Sequence, residues 1–282
     1  MFKKPSILFV YYMEPEIQRV WNDGLRAAIT IIDSSKDFRV ELVNLCEKDV
    51  SLNIDRVREF DFVLGWGGFN SPVDKFLYQI RLKTKIPFGL CVGGNAFPPR
   101  QDETYQVLFY ETPWYKEKLE WHKNARLAFG INSGIFSELA DNPLDTYDIY
   151  DYVSVGSFSN WKRHHKIMEK SGDRLVIGQI QKNNLNESMA IAYDLVTHGV
   201  AVSDMVKPEK LALIFNMTDT VFVPADINGG GERVLLEARA CGAKILIEPD
   251  NPKLESLINL EDVPNEDWYA SVLTAGIKSC LN

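Results

Sequence analysis

The chain has 282 residues, enough for one large domain or two small ones, and its 45% hydrophobic and 25% charged residues exclude disordered, collagen-like and coiled-coil architectures. Its net charge is −8, and both halves are acidic: 18 Lys and Arg stand against 21 Asp and Glu up to residue 150, and 13 against 18 after it. Bulk charge therefore excludes a strong nonspecific nucleic-acid binder and leaves only a local basic patch for that purpose.

The apolar run Ser6–Met13 follows two lysines, as a secretion signal does, but Glu14-Pro15-Glu16 ends it without a small-residue cleavage site. It reads as a buried first strand. No later run approaches the ~18–20 apolar residues of a membrane span. Cys46, Cys91, Cys241 and Cys280 lack paired metal-ligand spacing, so no metal site is expected, and they read as free thiols of a reducing, cytoplasmic compartment.

Strands are expected at 7–11, 39–43, 62–65 and 88–92, with helices at 16–32 and 72–82 between them. The turn-rich stretch 140–145 is the expected linker. Beyond it come strands at 152–155, 175–177, 200–202, 220–223 and 244–247, and helices at 163–170, 208–215 and 232–241. Strand, turn and helix in repetition argue parallel α/β sheets. The expected architecture is two Rossmann-like domains, 1–147 and 148–282, facing a central cleft, with a last helix that can pack back on the first domain.

The most informative segment runs from Pro224 to Gly242. A strand ends at Val223, Gly229-Gly230-Gly231 follows, and a helix begins at Glu232. Glycines allow a tight turn and close approach of a ligand, and a helix N-terminus offers unpaired N–H groups; together they suit a diphosphate. Glu232 and Glu237 are five residues apart, about 140° around a helix, so they do not share a face. Glu237 also follows Arg233 by four, the spacing of an ordinary ion pair.

Leu236-Glu237-Ala238-Arg239-Ala240-Cys241-Gly242 resembles the donor motif of GT-B-fold retaining glycosyltransferases of the family-4-like group. That resemblance implies a sugar-nucleotide donor whose ribose hydroxyls Glu237 would hold. The group places a first acid eight positions earlier, where this chain has Gly229; either Glu232 or Asp226 substitutes for it, or the sugar is held differently. Gly156-Ser157-Phe158-Ser159-Asn160-Trp161-Lys162 resembles the group's Gly-Arg-x-x-x-x-Lys element, with Ser157 where the arginine stands. Lys162 would neutralise the diphosphate, with Arg163 sharing the missing arginine's role. The resemblance thus gives Lys162 and Glu232 as catalytic candidates. Gly156, Ser157, Arg163, Asn228, Gly229, Gly230, Gly231, Arg233 and Glu237 complete the donor side. His164-His165 lacks acidic or cysteine partners for a metal.

The first domain would bind the acceptor, whether glycan, small molecule or modified nucleic acid. Gly67, Gly68, Gly94, Asn95, Glu111 and Trp114 are the candidates there, with a modest basic group at Lys75, Arg81, Lys83, Lys85 and Arg100. The resemblance implies a glycosyltransferase acting on a UDP- or GDP-linked sugar, without a further cofactor and with retention. An epimerase or phosphorylase of the same fold, or a noncatalytic sugar-nucleotide binder, are the alternatives.

Overall fold

A computed structural model describes residues 4–19, 21–47, 54–93, 104–139 and 150–281. The chain divides into two compact units, the first formed by 1–130 with 264–282 and the second by 131–263. The division therefore falls at 130/131 and 263/264 rather than at 147/148. The expected linker at 140–145 lies outside the described residues.

The first unit contains β1 (Ser6–Tyr11), α1 (Pro15–Gln18), α2 (Gly24–Ser34), β2 (Arg39–Asn44), α3 (Ile54–Val57) and β3 (Phe62–Gly67). It continues with α4 (Pro72–Lys83), β4 (Phe88–Val92), β5 (Val107–Tyr110), α5 (Tyr115–Lys118) and β6 (Ala125–Leu127). Its six strands are ordered β2-β1-β3-β4-β5-β6 and pair in parallel. All six residues of β1 are buried, as expected of a central parallel strand covered on both faces. Ile7, Phe9 and Tyr11 pack towards Leu25, Ala28, Ile29 and Ile32 of α2. Leu8 and Val10 pack towards Val73, Leu77 and Ile80 of α4.

The expected helix at 16–32 is two helices. Asp23 caps α2, its carboxylate accepting the Arg26 N–H at 3.0 Å, so the chain restarts its helix there. Ser71 caps α4 in the same way through the Asp74 N–H.

The second unit contains β7 (Tyr150–Val155), 3₁₀ turns at Asn160–Lys162 and His164–Glu169, β8 (Arg174–Gly178) and α6 (Leu185–Thr197). It then runs through β9 (Ala201–Asp204), α7 (Pro208–Asn216), β10 (Thr218–Val223), α8 (Glu232–Ala240), β11 (Lys244–Ile247) and α9 (Pro252–Ile258). The sheet order is β11-β10-β7-β8-β9, again all parallel. The helix expected at 163–170 does not form. Arg163 adopts the left-handed conformation (φ 49°, ψ 35°) and splits the segment into two 3₁₀ turns.

The last helix, α10 (Glu266–Leu281), belongs to the first unit. Tyr269, Ala270, Leu273 and Ile277 join the same core face as α2. Gly276 lies so near Phe109 of β5 that a Cβ there would stand 2.5 Å from the ring. All four cysteines are unbridged, Cys91 and Cys241 being buried. Among the described residues, no helix is long and apolar enough to cross a membrane.

Leu273 is fully buried. Leu273→Ala should destabilise the first unit by about 2–5 kcal/mol, read as a lowered urea midpoint.

Candidate functional site

Ligands of open parallel sheets sit beyond the carboxyl ends of strands, where successive connections leave in opposite directions. In the second unit that switch lies between β7 and β10, neighbours in the sheet although distant in sequence. The loop after β7 carries Gly156 to Arg163. The loop after β10 carries Pro224 to Gly231 and leads into α8. The two candidate donor segments thus meet at one end of one sheet.

A backbone seam joins these loops. The Asp226 N–H donates to the Trp161 carbonyl at 3.0 Å. A Cβ on Gly229 would stand 2.4 Å from that carbonyl oxygen and 2.7 Å from Ala225 Cβ. No side chain fits at 229, so the glycine standing where the family places an acid is a packing requirement of this loop. The Asn228 N–H donates to Asp226 Oδ1 at 2.7 Å and the Gly229 N–H to the Asp226 carbonyl at 2.8 Å, which fold the turn back on itself. Asn251, fully buried, donates to the carbonyls of Ala225 and Asp226 at 2.9 and 3.0 Å.

Arg163 serves the loops. Its guanidinium makes a bidentate pair with Asp250 at 2.6 and 2.7 Å, and its Nε donates to the Pro224 carbonyl at 2.6 Å. The Asp250 carboxyl is held below its usual range by this hydrogen-bonded pairing. Arg163 thereby forms a strut between the two loops. Ser157, at the arginine's position, directs its hydroxyl to Ser159, 3.2 Å away.

Lys162 leads back across Gly156, where a Cβ would be 3.0 Å from its Cε. It reaches Gly230, whose φ of 65° favours glycine. A Cβ on Gly230 would lie 3.2 Å from Glu232 Oε2 and 3.6 Å from Lys162 Nζ, so carboxylate and ammonium both stand beside a bare backbone. Burial pushes the Lys162 pKa below the usual lysine value. Glu232 is the attraction that opposes this, while Arg233 and Lys253 repel.

Glu232, the first residue of α8, is buried and paired through Oε1 with Lys253 Nζ at 2.8 Å; the Lys253 side chain is 0% exposed. Lys253 sits in the first turn of α9 and gives no signal in the sequence, where a lysine on a short helix reads as solvated. The Asn251-Pro252 pair does announce that helix, and the Asn251 side chain caps it. Glu237 is buried one turn further along α8, its Oε1 3.9 Å from Arg233 Nε, so the expected pairing is at the edge of ion-pair distance.

His164 underlies the loop. Its Nδ1 faces Ser154 Oγ at 3.1 Å and its Nε2 the Ser157 carbonyl at 3.2 Å. A carbonyl only accepts, so Nε2 carries the proton and Nδ1 accepts from the serine. Burial, with Lys162 nearby, lowers its pKa to about 4, and the ring is neutral at pH 7.

In the first unit the corresponding switch lies between β1 and β3. Trp21 stacks on Trp66 with centroids 5.9 Å apart and planes 10° apart, and Tyr11 lies 4.8 Å from Trp21. Gly67 ends β3. A Cβ on the next residue, Gly68, would stand 2.9 Å from the Gly93 carbonyl. Gly93 is flanked by Trp66 Nε1 and Glu111 Oε1, 3.3 and 3.6 Å from its Cβ position. Glu111 also helps burial to push up the Cys91 thiol and the Tyr269 hydroxyl, which bond to each other. Trp114 packs against Tyr115 and beneath Lys118, 4.8 Å from the ring, and reads as a packing element. Gly94, Asn95 and Arg100 lie outside the described residues.

No protein-family model and no curated protein sequence matches the chain at a significant level. Solved structures do match over almost its whole length. Sucrose-phosphate synthase from Thermosynechococcus elongatus is similar with TM-score 0.65 and 13% identity, over 99% of this chain and 90% of that one. Anabaena HepE, in complex with UDP-glucose, is similar with TM-score 0.62 and 11% identity, over 98% and 91%. A putative UDP-N-acetylglucosamine 2-epimerase from Listeria monocytogenes is similar with TM-score 0.52 and 12% identity, over 98% and 88%. At this identity the likeness is one of fold: two parallel-sheet α/β units matching GT-B glycosyltransferase structures.

The folded pKa of His164, about 4, lies below its ordinary 6.5, so the unfolded chain takes up this proton first. The resulting stability is complete above pH 6.5 and is lost as the pH falls from 6.5 to 4. His164→Gln should flatten the pH dependence of the urea midpoint across that window, by a few kcal/mol at its lower end.

Proposed function

We propose that the protein is a glycosyltransferase that takes its sugar from a nucleoside-diphosphate sugar, with UDP as the carrier, and passes it to an acceptor hydroxyl with retention. The observation that carries this reading is the Lys162 ammonium, held against the glycine turn at the switch of the second sheet and the N-terminus of α8. That is a site built for a diphosphate. The solved structures with UDP-glucose and UDP support the carrier, and the Glu237 motif supports the ribose contact and retention.

In the proposed reaction the bond from the anomeric carbon to the diphosphate oxygen breaks, and a bond to the acceptor oxygen forms on the same face. The acceptor proton leaves with the diphosphate. Lys162 and the N–H groups at the start of α8 stabilise the negative charge on the leaving group. Glu237 holds the nucleotide. Glu232, buried on Lys253, acts through Lys162 rather than on the sugar. A second reading, an epimerase, is favoured by the likeness to the putative 2-epimerase and by the bare backbone at Gly229.

A thermal-shift screen against UDP-, GDP-, ADP- and CMP-sugars should single out the UDP-sugars. The expected stabilisation is about 2.7 kcal/mol at a hundredfold excess over Kd. No shift with any of them would remove this reading. Lys162→Ala should lower kcat on the order of 10²–10³-fold while circular dichroism stays unchanged. Glu237→Gln should weaken UDP binding by about 1.5–3 kcal/mol, measured by calorimetry. Isotope exchange at the donor's C2 without an acceptor would decide for the epimerase.

A further inference from the structure

Three charges lie together under the glycine turn: Lys162 from the loop after β7, Glu232 from α8 and Lys253 from α9. Resting on the reading above, we propose that Lys253 is a positioning residue that steers the charge of Lys162. By engaging Oε1 of Glu232, it keeps that carboxylate from becoming the counter-ion of Lys162, so Lys162 remains the surplus cation that an anionic diphosphate neutralises.

The geometry carries this. Glu232 and Lys253 are both buried, and their 2.8 Å pairing satisfies the carboxylate on the side away from Gly230. The other oxygen points to Gly230, towards Lys162, yet among the described residues Lys162 is in no ion pair. The three groups sum to one positive charge. Removing Lys253 alone leaves none, removing Glu232 alone leaves two, and removing both restores one. A buried carboxylate that loses its partner turns to the nearest remaining cation, and an opposite charge within ~4–6 Å shifts a pKa by about 1–3 units. The groups around Lys162 are Glu232 and Arg233 of α8, Lys253 of α9 and the neutral His164 beneath the loop. Only the Glu232–Lys253 pair changes in the test.

The test uses the full chain with Lys253→Met, Glu232→Gln and the double variant. Two readouts are taken. Competitive acetylation of Lys162 with acetic anhydride across pH, read by peptide mass spectrometry, reports when its amine is neutral and needs no nucleotide. Calorimetry with UDP reports affinity for the diphosphate. Lys253→Met should move the Lys162 labelling midpoint up by roughly one unit and weaken UDP about ten-fold. Glu232→Gln should move the midpoint down by a similar amount without weakening UDP at pH 7. The double variant should return both to near the starting values.

A purely structural pair would lower the melting temperature in both single variants without opposite movements of the midpoint. Equal or absent movements overturn the proposal. Should Lys253→Met fail to fold, Glu232→Gln against the double variant, which has no orphaned charge, still decides through the labelling midpoint. A protein that binds no UDP sinks the functional reading above, while the labelling continues to judge the charge steering.

Discussion

The candidate site depends on one backbone contact, the Asp226 N–H on the Trp161 carbonyl. It ties the loop after β7 to the loop after β10, two segments brought together only because their strands are neighbours. The carbonyl packs where a side chain on Gly229 would stand, so the seam and an acid at that position are mutually exclusive. With the seam closed, Arg163 turns left-handed and pins Asp250 and Pro224, and Lys162 is aimed back over Gly156. The backbone thus fixes the lysine's direction before any side-chain chemistry is considered.

A buried lysine and a buried glutamate are individually expensive, and paired they are no guarantee of extra stability. Lys253 and Glu232 sit together beneath the turn instead of an apolar pair of similar volume. Asn251 satisfies two carbonyls of the turn, and His164 is kept neutral by its own burial. The polar groups beneath the site are thereby matched among themselves. The ammonium of Lys162 is the charge left over.

Much of this was legible in the residues, for physical reasons. Parallel strands covered on both faces are continuous apolar runs, and β1, β3 and β4 announce themselves so. The strand, glycine turn and helix of residues 220–241 also carry their signal locally. Other elements do not. Helix α6 leaves Leu185, Met189, Tyr193 and Val196 exposed, so its apolar pattern does not mark a core face. The break between α1 and α2 rests on a single cap at Asp23. The 3₁₀ turns at 160–169 follow from Arg163's tertiary partners, which no local window contains. Lys253 is the sharpest case: its pairing with Glu232 exists only because α9 folds against the start of α8, and its sequence context is that of a surface lysine.

The return of α10 to the first unit has a consequence for how the chain is made. Residues 131–263 stand between the two segments that build that unit. A chain emerging from its N-terminus completes the second unit first, while Phe109 and the α2 face still await Tyr269, Leu273, Gly276 and Ile277. The first unit to be synthesised is the last to be sealed. Its closing contacts join residues far apart in sequence, the kind that form slowly. Until then the apolar face that α10 covers is exposed, which makes the nascent first unit the aggregation-prone part of the protein.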